Sequence, residues 1–410
     1  MSSQLHHQSK GAPKKDSAVL IIILGSIVAI GPLTIDMYLP AFSAIAKSFD
    51  ATDSLVQLSL TAYFIGITFG QLLYGPMADR FGKKPPLFFG LVLFVIASFF
   101  CYFSHSIEEL IFWRFFQAVG ACAGAVIPRA IVRDIFSPQE SGRIFSHLIL
   151  VMGIAPIIAP LLGNLFLITI GWQAIFGFLA LFGIICLLTT KFLVPETRGA
   201  NPDEKISHAL KKYFGILHDR NFVISALSGG FAMAGLFAYI TGSPFAYLKF
   251  FQTSPQNYGF IFVANAFGFV IAAQINAALL KKFSLTKVMS NAVFLPLIFG
   301  ILLIFCGFYI PTFWIITLLF FAFLASVGAI VPTSSALALA NQASHSGSAS
   351  ALFGTIQFII ATISSFAISK LHNGGIEITT SVVGFCAIAS CLVYKIFKPQ
   401  NHFEESAAVN

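Results

Sequence analysis

Charge is what this chain has least of. Asp, Glu, Lys and Arg together make up 10% of its 410 residues, while 57% are hydrophobic, against about 25% charged in a soluble domain. So little charge excludes a soluble globular protein, and apolar windows of about 20 residues, the length that crosses a hydrocarbon core, recur with short polar punctuation. The alternating ten-residue strands of a membrane barrel are also lacking, which leaves a helical bundle. No G-x-x-x-x-G-K-[ST] run is present, because Gly82-Lys83 lacks the earlier glycine; direct use of ATP is therefore excluded. Neither H-E-x-x-H nor a Cys/His cluster occurs, so no metal and no organic cofactor is expected. The six cysteines, Cys101, Cys122, Cys186, Cys306, Cys386 and Cys391, sit in apolar segments without CxxC spacing and read as small packing residues.

What charge there is lies in alternate loops. Lys10, Lys14 and Lys15 precede the first apolar segment, Arg80, Lys83 and Lys84 follow the second, and Arg129, Arg133 and Arg143 stand around the end of the fourth and the start of the fifth. The loops near Ser104 and Gly171 carry neither Lys nor Arg. A net charge of +8 distributed this way indicates membrane topology and no nucleic-acid partner. The positive-inside rule puts the N-terminus in the cytoplasm, and an even number of spans returns Lys395 and Lys398 to the same side. The basic start resembles a secretory signal, and Ala44-Ile45-Ala46 a cleavage site. The apolar stretch is too long for that and contains Asp36, which predicts an uncleaved first span.

Six apolar segments, 18–46, 55–77, 87–104, 109–133, 143–168 and 173–195, precede a polar stretch, and six more follow at 221–250, 256–280, 287–308, 312–340, 347–370 and 377–397. The expected organisation is a tail over 1–17, a six-helix bundle over 18–195, a cytoplasmic linker over 196–220, a second bundle over 221–398 and a tail over 399–410. The halves echo each other. TIDMYLPAF in segment one parallels AYITGSPFA in segment seven, with Pro40 matching Pro244, Ile240 standing where Asp36 stands and Gly242 where Tyr38 stands. Repeats of this kind suit transporters that rock two bundles about a midplane site.

Asp36 is the one acidic residue deeply flanked by apolar sequence. A carboxylate at membrane depth costs roughly 2.5 to 3.5 kcal/mol, so it is kept there with a partner, with water or for a task. Pro32 and Pro40 lie on its face of the helix and loosen the backbone around it. Arg114 is the other deep charge, about six residues or roughly 9 Å into its span, at nearly the depth of Asp36. The alternatives are an arginine that snorkels to the interface, and a buried pair that only fixes packing. If the two are close, Arg114 and desolvation act on Asp36 in opposite directions, the makings of a proton switch.

At 75–87 the run GPMADRFGKKPPL resembles the loop signature between spans two and three of the major facilitator superfamily. Together with TIDMYLP, RAIVRDIF at 129–136, MGIAPIIAPLLGN at 152–164 and GWQAIF at 171–176, it resembles the Bcr/CflA drug-resistance branch of proton-driven antiporters over nearly the whole chain. The resemblance implies an all-α membrane fold of twelve helices in two six-helix bundles. It implies gating by Gly75, Asp79, Arg80, Gly82, Lys83 and Lys84, with Asp79 facing the start of span eleven near Ser344 to Gly347 and the basic residues pairing with Asp134, beside Arg133. Arg114, Gln117 and Gly120 match the span-four motif whose arginine is tied to proton transfer. Gly153, Pro156, Pro160 and Gly163 match the antiporter helix break that packs on span eight, with Ala155-Pro156 and Ala159-Pro160 in place of the common Gly-Pro.

The expectation that follows is a secondary transporter in the bacterial inner membrane, acting as a monomer and exporting small amphipathic compounds in exchange for protons. Asp36 carries the proton, and Arg114 tunes it. Tyr38, Gln117, Tyr239 and Asn265 are the candidate cavity residues. An uptake symporter or a metabolite exporter fits the same fold, and a membrane sensor without transport is the alternative from another class. The chain is not expected to be an enzyme.

Overall fold

The computed structural model describes residues 14–136, 138–197, 213–340, 342, 346–371 and 375–397. Twelve helices are long and apolar enough to cross a membrane. In order they are Ala18–Ser48, Asp53–Phe81, Lys84–Tyr102, Ile107–Ile135, Val151–Thr169, Gln173–Leu193, Arg220–Phe250, Pro255–Leu279, Leu285–Tyr309, Phe313–Leu339, Ser348–Leu371 and Glu377–Phe397. They are numbered span 1 to span 12. No strand occurs among the described residues.

The packing repeats with a shift of six spans. In the first half span 1 packs on span 5 and span 6, span 2 on span 4, and span 3 on span 6; in the second half span 7 packs on spans 11 and 12, span 8 on span 10, and span 9 on span 12. The halves meet along spans 2 and 11 and along spans 5 and 8, two contacts that exchange when the halves are swapped. Small residues permit these approaches, as expected where lipid supplies no hydrophobic drive between helices. Gly90 and Gly120, for example, bring spans 3 and 4 to backbone contact. All six cysteines are free and buried, in keeping with their reading as packing residues.

One end of the bundle is basic. It carries Arg80, Lys83 and Lys84, Arg133, Lys191, Lys281, Lys282 and Lys395. At the opposite end the halves are tied together. Thr61 Oγ1 lies 2.7 Å from Ser365 Oγ, Ser365 Oγ lies 2.9 Å from Thr241 Oγ1, Ser54 donates to the Ser369 carbonyl, and Lys249 Nζ pairs with Asp53 at 2.5 Å.

Two boundaries differ from the sequence reading. The stretch 75–87 is mostly helix: span 2 runs to Phe81, only Gly82 and Lys83 turn the chain, and Lys84 opens span 3. Gly82 needs its missing side chain, at φ +87°, a conformation other residues rarely hold. Of the expected linker 196–220, residues 198–212 lie outside the described residues. Residues 213–217 are helical and bury Tyr213 and Ile216 in a small cluster with Phe222, Leu352 and Phe353. Burial, and next the Asp79 carboxylate, push the Tyr213 phenol above its ordinary pKa.

Candidate functional site

Proline chemistry decides where span 1 opens. In a continuous helix the Asp36 carbonyl would accept from the N–H of residue 40, and Pro40 has none. The helix accordingly ends at Asp36, a 3-10 turn covers Leu39–Ala41, and a short helix resumes over Phe42–Ser48. Span 7 changes at the matching proline in another way. Its helix ends at Pro244 and passes into a π-helical stretch over Phe245–Phe250, and the Ser243 hydroxyl turns back to the Ile240 carbonyl at 3.5 Å. Both breaks face the junction of the halves, with the turn at 39–41 touching spans 5, 7 and 8.

Asp36 is buried, 4% exposed, and forms no hydrogen bond or ion pair among the described residues. Tyr258 lies 2.9 Å from Ser243 Oγ, one residue before the proline of the second break.

Arg114 is fully buried, which rules out a snorkelling arginine. Nor does it form the ion pair that matching depths suggested, since among the described residues the guanidinium has no carboxylate within 4 Å. It is solvated by other means. Its Nη1 donates to the Thr34 carbonyl at 3.3 Å, beside the opening in span 1, and to Gln117 Oε1 at 2.7 Å. Its carbon centre lies over the rings of Tyr63 at 4.4 Å, Tyr38 at 4.6 Å and Phe176 at 5.8 Å, a shared set of cation–π contacts that supplies about 2 kcal/mol or more when desolvated. Nε and Nη2 have no partner. Arg114 therefore braces the broken end of span 1.

The expected cavity residues divide. Tyr38 is buried under Arg114 and shares a 2.6 Å hydrogen bond with Ser59. Gln117 is spent between Arg114 and Ser98, to which its Nε2 donates at 2.8 Å. Asn265 donates to Tyr239 at 2.6 Å inside the second half, where Tyr239 also packs on Phe262 and Phe320. Three of these side chains are thus brought to the span 1 and span 7 breaks, while Gln117 belongs to the interior of the first bundle.

At the basic end the pairing of the basic residues with Asp134 that the resemblance implies is not formed, and the facing of Asp79 onto the start of span eleven falls partly outside the described residues. Asp79 pairs with Lys83 one turn on, at 3.0 Å, and the start of span eleven at 343–345 lies outside the described residues. Asp134 accepts from Thr197 Oγ1 at 2.8 Å and from no lysine or arginine of 80–84. The turn is held by Glu196, whose two oxygens accept from the backbone N–H groups of Lys83 at 2.9 Å and Lys84 at 3.2 Å, while Lys84 Nζ caps the Lys191 carbonyl at 2.8 Å. Arg80 lies over Phe81, and Arg133 is exposed. In span 5, Gly163 presses on the Met37 backbone and a side chain there would collide with it; Gly153 faces Val270 and Pro160 faces Gly259 of span 8. Pro156 and Pro160 lie within one continuous helix, Pro138–Thr169.

A family model described as the Major Facilitator Superfamily matches residues 24–365. The chain belongs to the Major Facilitator Superfamily. An uncharacterised transporter of this superfamily from Bacillus subtilis, YdgK, is 34% identical, covering 91% of this chain and 95% of that one. The bicyclomycin resistance protein homologue of Haemophilus influenzae is 26% identical over 95% of this chain and 98% of its own, and the multidrug resistance protein MdtL of Shigella flexneri is 34% identical over 43% and 45%. These similarities support a place in the drug-resistance branch. The fold is that of solved facilitator structures: a D-xylose–proton symporter superposes with a TM-score of 0.73 at 14% identity, covering 94% of this chain and 99% of that one. A bacterial homologue of the lysosomal transporter Spinster gives 0.70 at 16%, covering 94% and 96%.

Within this facilitator, four groups near the site escaped the sequence reading. Phe176 was inside a quoted motif, but nothing in GWQAIF says that its ring would meet an arginine from span 4. Glu196 stood at the head of a polar linker and carried no signal of its own. Tyr258 and Gln57 are ordinary residues near helix starts, and nothing in the sequence says that Tyr258 would meet Ser243 beside Pro244 or that Gln57 would be buried.

Proposed function

We propose that this chain is a proton-driven exporter of small amphipathic compounds, with Asp36 as the proton carrier. The observation that carries the reading is a buried carboxyl with no hydrogen bond or ion pair among the described residues, at the opening of span 1, where an arginine braces the broken end and the turn that follows touches the other half. An ionised group so placed gains when the halves part and water reaches it, and a neutral one loses little when they close. Protonation is thereby linked to alternation. One proton supplies about 1.4 kcal/mol per pH unit and about 2.3 kcal/mol per 100 mV, enough to turn a weakly biased equilibrium. The drug-resistance names of the relatives support export and an amphipathic cargo.

The charge distribution supports an orientation with the basic end in the cytoplasm. Of 24 Lys and Arg residues, Lys47, Lys249 and Lys370 fall at the opposite end, and Arg114 is buried within a span. In that orientation the ties Thr61–Ser365 and Asp53–Lys249 close the outer side. The chain then acts as a monomer in the inner membrane, with both tails cytoplasmic and the two bundles, 18–195 and 221–398, as the moving parts.

The test is drug flux in everted vesicles. With an acid interior, wild type is expected to accumulate bicyclomycin, and Asp36→Asn to lose that gradient-driven accumulation while its folding in detergent is unchanged. Accumulation by Asp36→Asn equal to wild type, or uptake driven by the opposite gradient, overturns the assignment.

A further inference from the structure

The turn between spans 8 and 9 is the counterpart, six spans on, of the turn between spans 2 and 3. The two are basic in different ways. At the first, Asp79 pairs with Lys83, and Glu196 accepts from the Lys83 and Lys84 amides. At the second, Lys281, Lys282 and Lys287 are all exposed, and among the described residues no carboxylate lies within 4 Å of any of them. The described part of the second half has only Asp219 and Glu377 to offer. Asp219 is occupied at the start of span 7, where it accepts from the Asn221 and Phe222 amides and from Gln342 Nε2 at 2.8 Å, and Glu377 opens span 12 at the opposite end of the bundle. A fourth cation joins from span 12. Lys395 Nζ donates to Ser290 Oγ at 2.8 Å and lies 4.2 Å from the centre of the Phe294 ring, and Ser290 is one helical turn from Lys287 on the same face. In the middle of the turn stands Phe283, 43% exposed, with Lys287 Nζ 5.1 Å from the centre of its ring. Four ammonium groups thus surround an exposed ring with no acid among them.

We propose that this turn is a docking surface for the headgroups of anionic phospholipids, with Lys281, Lys282, Lys287 and Lys395 receiving the phosphate and Phe283 resting on the upper acyl carbons. The turn joins the ends of two apolar spans, which puts it at the level of the headgroups. An anionic leaflet draws each cation held there by about fivefold in affinity, provided that no carboxylate of the protein has claimed it first. A phospholipid also answers both halves of the surface, phosphate to ammonium and hydrocarbon to phenyl, whereas a soluble anion leaves the ring in water. The turn between spans 2 and 3 is the internal comparison: its cations are answered by Asp79 and Glu196 within the protein. The second bundle, and not the first, is therefore fastened to an anionic leaflet, whether or not the chain carries a solute.

Native mass spectrometry of the full chain, released from a nonionic detergent containing equimolar dioleoylphosphatidylglycerol and dioleoylphosphatidylcholine, reads which lipid is retained. Wild type is expected to retain phosphatidylglycerol in preference to phosphatidylcholine. The double variant Lys281→Gln/Lys282→Gln is expected to bind phosphatidylglycerol about twentyfold more weakly, from about fivefold for each cation, while Lys281→Arg/Lys282→Arg keeps the wild-type affinity. The matched variant Arg133→Gln/Lys191→Gln removes the same charge from exposed positions at the basic end of the first half and is expected to change the affinity by less than about twofold. All of these side chains are exposed, so each variant should melt with wild type. Equal losses in the two glutamine pairs assign retention to diffuse positive charge and overturn the proposal. So does equal retention of the two lipids by wild type. Competition by glycerol 3-phosphate as effective as that by phosphatidylglycerol makes the turn a site for soluble anions, which overturns the assignment to a lipid.

Discussion

Exchanging Arg114 for lysine and for methionine separates the charge of this residue from its shape. Arg114→Met leaves the Thr34 carbonyl and Gln117 Oε1 short of a donor, roughly 1 to 3 kcal/mol each, and forfeits contacts with the Tyr38, Tyr63 and Phe176 rings. It also relieves a buried charge that no carboxylate neutralises, and that relief is several kcal/mol. The two sides nearly cancel, so the methionine variant is expected to lie within about 2 kcal/mol of wild type. Arg114→Lys keeps a full buried charge and replaces a plane that stacks on three rings by a compact, strongly hydrated ammonium. It gains no relief and is expected to lose about 3 kcal/mol or more. For halves of this size each kcal/mol is about 2 to 4 °C in melting temperature. In detergent, monitored by intrinsic fluorescence, the lysine protein should melt roughly 6 °C or more below wild type and the methionine protein between them. A lysine variant as stable as wild type, with methionine far below, would show that charge alone matters at 114 and would refute the bracing role.

Two further outcomes test the positions that hold the breaks. Gly163→Ala drives a methyl group into the Met37 backbone and is expected to cost about 1 to 3 kcal/mol; because the collision lies next to Asp36, bicyclomycin flux should fall with the melting temperature. Undiminished flux at wild-type stability would mean that span 1 shifts freely. Glu196→Gln weakens the grip on the Lys83 and Lys84 amides, so hydrogen exchange at those two amides should quicken by about tenfold, from the loss of a charge-assisted bond, while the interior of span 2 is unaffected. Unchanged exchange there would discount Glu196 as the clamp of the turn.

The fold was legible because its determinants are local. Each of the twelve spans announces itself by length and apolarity, and no tertiary information is needed to find one. The break in span 1 was legible for the same reason, since Pro40 removes a donor from a bond four residues long; at Pro244 the chain stays helical and widens into a π-helix. The turn at 82–83 was placed in too long a loop because the signature at 75–87 was taken whole as a loop, yet Pro76 lies buried inside span 2, whose helix runs on to Phe81.

The site was legible in its charges and illegible in its partners. Sparse charge made Asp36 and Arg114 conspicuous, and scarcity invited the inference that they pair, because a sequence offers a deep cation only charged candidates of the opposite sign. The structure solves the problem with neutral groups. Rings from spans 1, 2 and 6, one carbonyl freed near the break and one glutamine solvate the guanidinium, and none of these is distinguishable in sequence from the other aromatic and polar residues of a chain with 47 Phe and 10 Tyr. The consequence reaches Asp36. Were Arg114 its counter-ion, the carboxylate would be compensated in the closed state and its proton would do little when the halves move. Because the arginine is occupied with the backbone and the rings, the carboxyl is left with burial at a turn that touches the other half, and that burial is the quantity that changes when two halves part.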